Sequence, residues 1–328
     1  MTALSSIAVE RSVATAGVPL PCATRQRLRR RDPAFVMPAP LARPLDLSVV
    51  VVSYHSLQLL LDMLPGFAAA VAGLHAELIV VENGTGEPVA ATLRERFPAV
   101  RVLELGSSIG FGAAVNRGVR VARGRHVALL NPDTLLGAEC FTRLVHRLDH
   151  EPGVGIVGPR VWDDAAQTSI QRSWRRFPGV MTALCGRYAL LTRLWPGNPW
   201  TRRYLNEDRS PDLVQPTDWV SGCCMVVRGS LFRALGGMDE RYPLFCEDVD
   251  LCREAHGAGF TVVYDPEAAI VHEIGGSRRK APLRSTWLRH RSMTSYVLKH
   301  GHVANPWTWV LVIGIWLRFA LHAVWRRV

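Results

Sequence analysis

The sequence predicts an α/β protein: a mostly parallel central sheet with helices on both faces, Rossmann-like in its alternation. Three observations predict it. Short apolar, β-branched runs recur along the chain, as in strands buried on both faces. Stretches of helical spacing separate them over about 90 residues, the β-α-β-α rhythm of a parallel sheet. Ser53, Glu82, Asn83 and Asp133 fall at the predicted strand ends, where such sheets gather ligands.

The elements follow in order. The run 47–54 (LSVVVVSY) is the first buried strand. Leu60, Leu64, Phe67 and Val71 repeat at helical spacing and predict a helix over 56–72. A second strand, 77–82, ends in the turn residues Asn83 and Gly84. Helical pattern follows at 88–97 and a strand at 100–105. A glycine-rich turn leads into a helix over 112–123, then a strand over 126–130 runs into Asn131-Pro132-Asp133. The segment 165–216, rich in Arg and Trp, reads as long loops or lids. Strand pattern resumes at 219–228, a helix starts at Ser230, and Cys246-Glu247-Asp248-Val249-Asp250 opens another. A strand over 261–264 leads to Ile270-Val271-His272.

Composition excludes several classes. The 328 residues are 48% hydrophobic and 20% charged, which suits a sizeable core and argues against disorder. The seven cysteines contain no C-x-x-C pair, which argues against zinc ribbons, thioredoxin-like sites and a disulfide scaffold. They read as small core residues of a reducing compartment. The net charge of +11 is uneven: +5 over residues 1–45, +10 over 276–328 and −4 between them. A nucleic-acid groove would need that charge on the folded body, so no nucleic-acid partner is expected.

The two tails read differently. Residues 1–45 hold no long apolar run, so they predict a flexible basic arm rather than a cleaved signal peptide. The stretch 307–325 is apolar but interrupted by Arg318 and His322, marginal for the roughly twenty apolar residues of a span. Its tryptophans, 307, 309, 316 and 325, predict a helix lying in the membrane interface. A terminal helix packed on the domain is the alternative.

Three clusters carry chemistry. The first is Gly110-Phe111-Gly112 with Asn116 and Gly118, between a strand and a helix; glycines there let backbone approach a ligand, and a helix N-terminus suits phosphate. A dinucleotide fingerprint fits poorly, because Val115 stands where a third small residue belongs and the turn lies on the third βα unit. The second is Asn131-Pro132-Asp133-Thr134, where a carboxylate could hold Mg²⁺ or Mn²⁺ against diphosphate oxygens or simply close a turn. The third is Glu247-Asp248-x-Asp250 with His272 beyond it. On a helix Glu247 and Asp250 share a face, which leaves Asp248 pointing elsewhere for a role such as general base. Acidic residues at a helix start and a buried structural histidine are the ordinary readings of the same residues.

Together, in this order, these motifs resemble the family 2 glycosyltransferases with a GT-A fold, nearest the bacterial rhamnosyltransferase-like branch. The matching text runs from Val50-Val51-Val52-Ser53-Tyr54 and Val80-Val81-Glu82-Asn83-Gly84 through Gly110-Phe111-Gly112 to Leu129-Leu130-Asn131-Pro132-Asp133-Thr134. It continues with Gly236-Gly237-Met238-Asp239-Glu240, Glu247-Asp248-Val249-Asp250 and His272-Glu273-x-Gly275-Gly276-Ser277. It covers about 70% of the chain, from Leu47 to Ser277. The resemblance implies a GT-A domain over 46–277; residues 278–328, beyond it, read from their own composition as a basic, Trp-rich helical tail.

It implies roles as well. Ser53, Tyr54, Glu82 and Asn83 would cradle the base and ribose of a nucleoside-diphosphate sugar, with Gly110, Phe111, Gly112, Asn116 and Asn131 beside it. Asp133 and His272 would ligate a divalent cation, Mg²⁺ or Mn²⁺. Asp248 would be the catalytic base, with Glu247 the competing candidate. Glu82 stands where the family usually has Asp, and its D-x-D pattern is reduced to Asn131-x-Asp133. The expected reaction is inverting sugar transfer, with L-rhamnose the sugar the branch suggests. The basic tail suits a polyprenyl-linked glycan acceptor and an anionic membrane surface, placing the protein at the cytoplasmic, inner face of the cell membrane. Arg172, Arg175 and Arg176 are candidate acceptor-phosphate contacts or solvated loop arginines. An inactive GT-A-fold scaffold and a nucleotide-dependent oxidoreductase are the alternatives.

Overall fold

The computed structural model describes residues 44–179, 192, 194–272 and 282–325. The predicted arm over 1–45 and motif residues Glu273–Ser277 therefore lie, but for residues 44 and 45, outside the described residues.

The first half lays down four parallel strands: β1 (Leu45–Ser53), β2 (Ala76–Asn83), β3 (Arg101–Leu105) and β4 (Gly124–Leu130). β1 pairs with β2 on one side (Val50 opposite Ile79) and β4 on the other (Val50 opposite Leu129). Side chains alternate as the period of a strand requires. Val49 and Val51 enter one core, and Val50 and Val52 enter the other. A strand buried on both faces has no polar side to offer, which is why this run reads as unbroken valine.

Helices cover both faces. The predicted helix over 56–72 is in fact α1 (Leu57–Met63), a 3₁₀ turn and α2 (Phe67–Ala70). Pro65, which has no N–H to give to the helix ladder, sits in that turn. α3 (Val89–Arg96) and α4 (Phe111–Val121) follow as predicted. α4 lies so close to β1 that a Cβ on Gly118 would stand 2.6 Å from Val50 Cγ1.

Sequence periodicity did not reveal β5 (Thr134–Leu136), α5 (Cys140–His150) and β6 (Val154–Trp162). The segment 165–216 is also more ordered than long loops. It holds β7 (Ile170–Gln171), β8 (Trp174–Arg175), α6 (Pro199–Tyr204) and β9 (Gln215–Thr217). Trp174 is fully buried there, stacked on Tyr264 at 4.6 Å. The strand predicted over 219–228 splits into β10 (Trp219–Val220) and β11 (Cys224–Arg228), with a turn at Ser221–Cys223 between them. α7 (Gly229–Ala234), α8 (Glu247–Gly257) and one long, bulged β12 (Thr261–His272) complete the domain. α9 (Pro282–His300) and α10 (Pro306–Trp325) form the tail.

The main sheet runs β3-β2-β1-β4-β11-β6-β12-β5. It is parallel from β3 to β4 and again between β6 and β12; β11 is antiparallel to both neighbours. That inversion turns the Ser221–Cys223 backbone toward the strand ends of the first half. β5 pairs antiparallel with the end of β12, setting Thr134 opposite His272. Two motifs far apart in sequence thus meet at one edge of the site.

Candidate active site

A cavity of about 670 Å³ opens at the carboxyl ends of β1, β2 and β4. Tyr54, Asn83, Gly110, Phe111, Asn131, Asp133, Glu247, Asp248 and His272, all singled out from sequence, line it. Ser53, Glu82, Gly112 and Asn116 do not appear in its wall.

Each of those four has a job next to the wall. Ser53 is buried and shares a hydrogen bond of 3.1 Å with Ser56, whose own Oγ accepts the Tyr54 N–H. Glu82 accepts the N–H of Gly84 (3.1 Å) and of Thr85 (2.6 Å), so its carboxylate is spent on its own turn. Gly84 has φ +70°, and a Cβ on it would lie 2.2 Å from the Ser107 backbone; the two turns touch. Gly112 lets α4 approach Met238 and Glu247. The Asn116 amide accepts from Met238 N (2.9 Å) and donates to Met238 O (2.8 Å), clamping the loop that precedes α8. Asn83 is likewise a clamp, accepting the Ile109 N–H at 3.0 Å and steadying the turn before α4.

Two carboxylates lie side by side at the start of α8, where Cys246 adopts a left-handed φ of +71°. Asp248 Oδ2 accepts the Gly222 N–H at 2.9 Å and Oδ1 accepts the Val249 N–H at 2.8 Å. Glu247 is buried, and its Oε2 has no hydrogen-bond partner among the described residues. Burial, then the charge of Asp248, pushes the Glu247 carboxyl well above its ordinary range. Burial also raises Asp248, but the Gly222 and Val249 N–H groups oppose it. The two backbone donors on Asp248 and the unpartnered Glu247 Oε2 thus favour the proton on Glu247 and the charge on Asp248.

The sequence put Glu247 on the face of Asp250. The structure instead sets Glu247 with Asp248 in the cavity wall, because the helix only begins at Glu247. Asp250 turns toward the tail. It accepts from Lys299 Nζ (2.7 Å) and Tyr242 OH (3.0 Å), and His300 Nε2 lies 2.6 Å away. Asp250, Glu254 and His300 converge closely enough to hold a cation, yet Lys299 Nζ already reaches Asp250 and, at 3.2 Å, Glu254.

Across the cavity His272 Nε2 lies 3.2 Å from Asp133 Oδ1 and 3.5 Å from Asn131 Nδ2. An octahedral cation holding each ligand at about 2.1 Å keeps neighbouring ligands about 3 Å apart; the carboxylate suits Mg²⁺ or Mn²⁺, and the imidazole nitrogen favours Mn²⁺ of the two. The pair fits such an ion. Cys223 also lines the cavity, but burial pushes its thiol up to about 12, so it offers no thiolate nucleophile.

Sequence reasoning missed the contribution of α9, which brings Arg284, Ser285 and Leu288 to the cavity. No spacing distinguished Arg284 from the other arginines of the tail. It missed His55 and Gly222 too; only the strand end and the Ser-Gly pair hinted at them. Two of the three candidate phosphate-binding arginines are occupied within the fold, while Arg172 lies over the Trp174 ring with one buried guanidinium nitrogen unpartnered among the described residues. Arg176 pairs with Asp208 at 2.9 Å, and Arg175 donates to Arg172 O at 2.7 Å over the Trp219 ring.

This sheet, with its ligand-facing strand ends and acidic helix start, is the GT-A glycosyltransferase architecture. The solved structures that share it include the following two. One is a mannosyltransferase from Pyrobaculum calidifontis in complex with GDP-Man and Mn²⁺ (TM-score 0.53, 15% identity, covering 85% of this chain and 76% of that one). The other is S. aureus TarS 1-349 in complex with UDP (TM-score 0.50, 12% identity, 81% and 69%). The family described as "Glycosyltransferase like family 2" matches residues 44–295. An N-acetylglucosaminyl-diphospho-decaprenol L-rhamnosyltransferase of Mycobacterium tuberculosis is 32% identical over 256 residues, 74% of this chain and 81% of that one. The chain belongs to glycosyltransferase family 2 and is a sugar-transferring enzyme, which removes the oxidoreductase and inactive-scaffold readings.

Proposed function

We propose that the enzyme inverts the anomeric centre as it moves L-rhamnose from a nucleoside-diphosphate donor to a hydroxyl of a polyprenyl-linked cell-envelope glycan. The observation that carries this reading is the Glu247–Asp248 pair, with an anionic, backbone-held Asp248 facing the same cavity as Asp133 and His272. The relative acting on diphospho-decaprenol-linked N-acetylglucosamine supports the sugar and the acceptor class.

In this reading the acceptor hydroxyl oxygen attacks the anomeric carbon while Asp248 takes its proton. The carbon–oxygen bond to the donor breaks, and its electron pair leaves with the nucleoside diphosphate. One displacement inverts the centre and needs no protein nucleophile. Glu247, protonated, donates from the cavity wall rather than competing as base. Tyr54 and the Asn83-steadied turn of Ile109, Gly110 and Phe111 form the wall for the nucleotide. Asp133 and His272, with Asn131 adjoining, would hold the divalent cation, which when bound neutralises charge on the departing diphosphate.

The tail supplies the surface for a lipid-linked acceptor. Among the described residues no helix is long and apolar enough to cross a membrane. Trp307, Val310, Ile313, Leu317 and Leu321 form one stripe of α10, each more than half exposed. Residues 276–328 add ten Lys/Arg and no acidic residue. An apolar stripe with basic flanks suits an anionic membrane surface, consistent with a peripheral enzyme at the inner, cytoplasmic face.

A donor panel tests the reading: dTDP-rhamnose, UDP-GlcNAc, UDP-galactose, UDP-galactofuranose and GDP-mannose, with membrane-extracted lipid acceptor and with or without Mn²⁺ or Mg²⁺. Metal-dependent nucleoside-diphosphate release from dTDP-rhamnose is expected. Release from another donor alone would overturn the rhamnose assignment.

A further inference from the structure

A buried side chain behind the cavity fixes how His272 presents itself. His272 Nδ1 lies 3.1 Å from Gln171 Oε1, and both residues are buried. Gln171 sits on β7, paired opposite Val161, so its backbone is set by the sheet. Its amide is oriented by Asp163, whose Oδ1 accepts Gln171 Nε2–H at 3.1 Å and whose Oδ2 accepts Ser169 Oγ–H at 3.0 Å. The reversed amide would set two oxygens against each other. The Gln171 oxygen therefore faces the ring, and the ring atom it faces must carry a hydrogen.

We propose that Gln171, held by Asp163, is a positioning residue that places the His272 proton on Nδ1 and turns the Nε2 lone pair toward Asp133. This rests on the reading of Asp133 and His272 as cation ligands. Without Gln171, the Asp133 oxygen 3.2 Å from Nε2 would draw the proton to that nitrogen and close it to a cation. A ligating histidine needs its other nitrogen engaged for this reason. Sequence gave Gln171 no distinction, since it lies in the segment read as loop.

The test uses the full chain with ¹⁵N-labelled histidine, free of divalent cation, and Mn²⁺ as the probe. The long-range ¹H–¹⁵N spectrum of wild type, recorded at a pH high enough that the ring carries a single proton, should show the Nδ1–H form of His272; the Nε2–H form there would by itself overturn the proposal. Gln171→Leu should switch the ring to Nε2–H and weaken Mn²⁺ binding, read from the free-ion spin-resonance signal, by about ten- to a hundredfold. Gln171→Glu combined with Asp163→Asn, which keeps an acceptor facing Nδ1 and returns a donor between positions 163 and 171, should restore the Nδ1–H form and most of the affinity. A folded Gln171→Leu with unchanged tautomer and Mn²⁺ affinity within about twofold of wild type would overturn it. Failure of the parent reading looks different: Asp133→Ala and His272→Ala would then bind Mn²⁺ as wild type does, whatever the tautomer.

Discussion

The backbone N–H of Gly222 donates to Asp248 Oδ2 at 2.9 Å, joining the turn between β10 and β11 to the start of α8. A Cβ on Gly222 would stand 3.3 Å from Asp248 Cβ, so the glycine permits this close approach. The bond favours the charged form of Asp248, whereas Glu247 Oε2 has no such partner and keeps the proton.

Glu247 and Asp248 should therefore respond unequally to amide substitution. Glu247→Gln mimics the protonated acid and should reduce turnover by no more than about tenfold, far less than loss of a general base. The pH profile should carry the mark of Asp248: its pKa is raised by burial, so kcat/KM should fall with acidity at a pH above the ordinary aspartate value of 3.8. Steady-state rates from pH 4 to 8 for both variants would check this. Equal losses would remove the division of labour.

Asp133→Ala should act on donor binding. On the proposed reading, removing the carboxylate 3.2 Å from His272 Nε2 takes away one cation ligand. Titration calorimetry of nucleoside diphosphate should show Mn²⁺-dependent affinity lost and Mn²⁺-independent affinity little changed. Retained Mn²⁺ dependence would place the cation elsewhere.

The tail is fastened to α8 through Lys299 and Asp250, 2.7 Å apart. Lys299→Met removes one charged partner of buried Asp250 but leaves Tyr242 OH and His300, so it should cost about 1–3 kcal/mol in denaturant unfolding. The neighbours give this lock a pH window. Burial would lower the Lys299 pKa, but Asp250, Asp239 and Glu254 outweigh it and raise it. Its contribution is then complete below the ordinary lysine value of 10.5 and is lost as pH rises through the folded value. Burial would raise Asp239, but Arg241 and Lys299 outweigh it and lower it. That contribution is present above the ordinary aspartate value of 3.8 and is lost as pH falls toward the folded value.

Gly118→Ala should destabilise the domain. Its Cβ would stand 2.6 Å from Val50 Cγ1 and 3.0 Å from Val81 Cγ2, in the packed seam between α4 and the first strands. Overpacking of this kind costs about 1–3 kcal/mol, visible as a lower Tm. An unchanged Tm would mean that α4 can move away from the sheet.

Charged residues on the exposed stripe of α10 should release the enzyme from lipid. Ile313→Glu with Leu317→Glu should reduce sedimentation with phosphatidylglycerol vesicles and leave the melting temperature near wild type, since both side chains face solvent. Undiminished sedimentation would rule out this stripe as the docking face.

The first half of the fold was legible because its strands are buried on both faces and leave an unbroken apolar run, as in Val49–Val52. β5 and β7 were not: strands of two or three residues carry no period, and only pairing with β12 and β6 makes them strands. Among candidate site residues, Asp133, Asp248 and His272 announce themselves because ionisable groups sit beside apolar runs. Asn116 was misleading. It stands in the glycine-rich motif, yet its amide is spent on Met238, a partner 122 positions away. Gln171 and Arg284 were silent for the complementary reason. Nothing local marks them, and only tertiary pairing brings one to His272 and the other to the cavity.

The most direct test of the central claim is lipid-acceptor glycosylation by Asp248→Asn beside direct measurement of donor binding. If Asp248 is the base, transfer should fall by about a hundred- to ten-thousandfold while donor affinity stays near wild type. Transfer at the wild-type rate with Asn at 248 would contradict it.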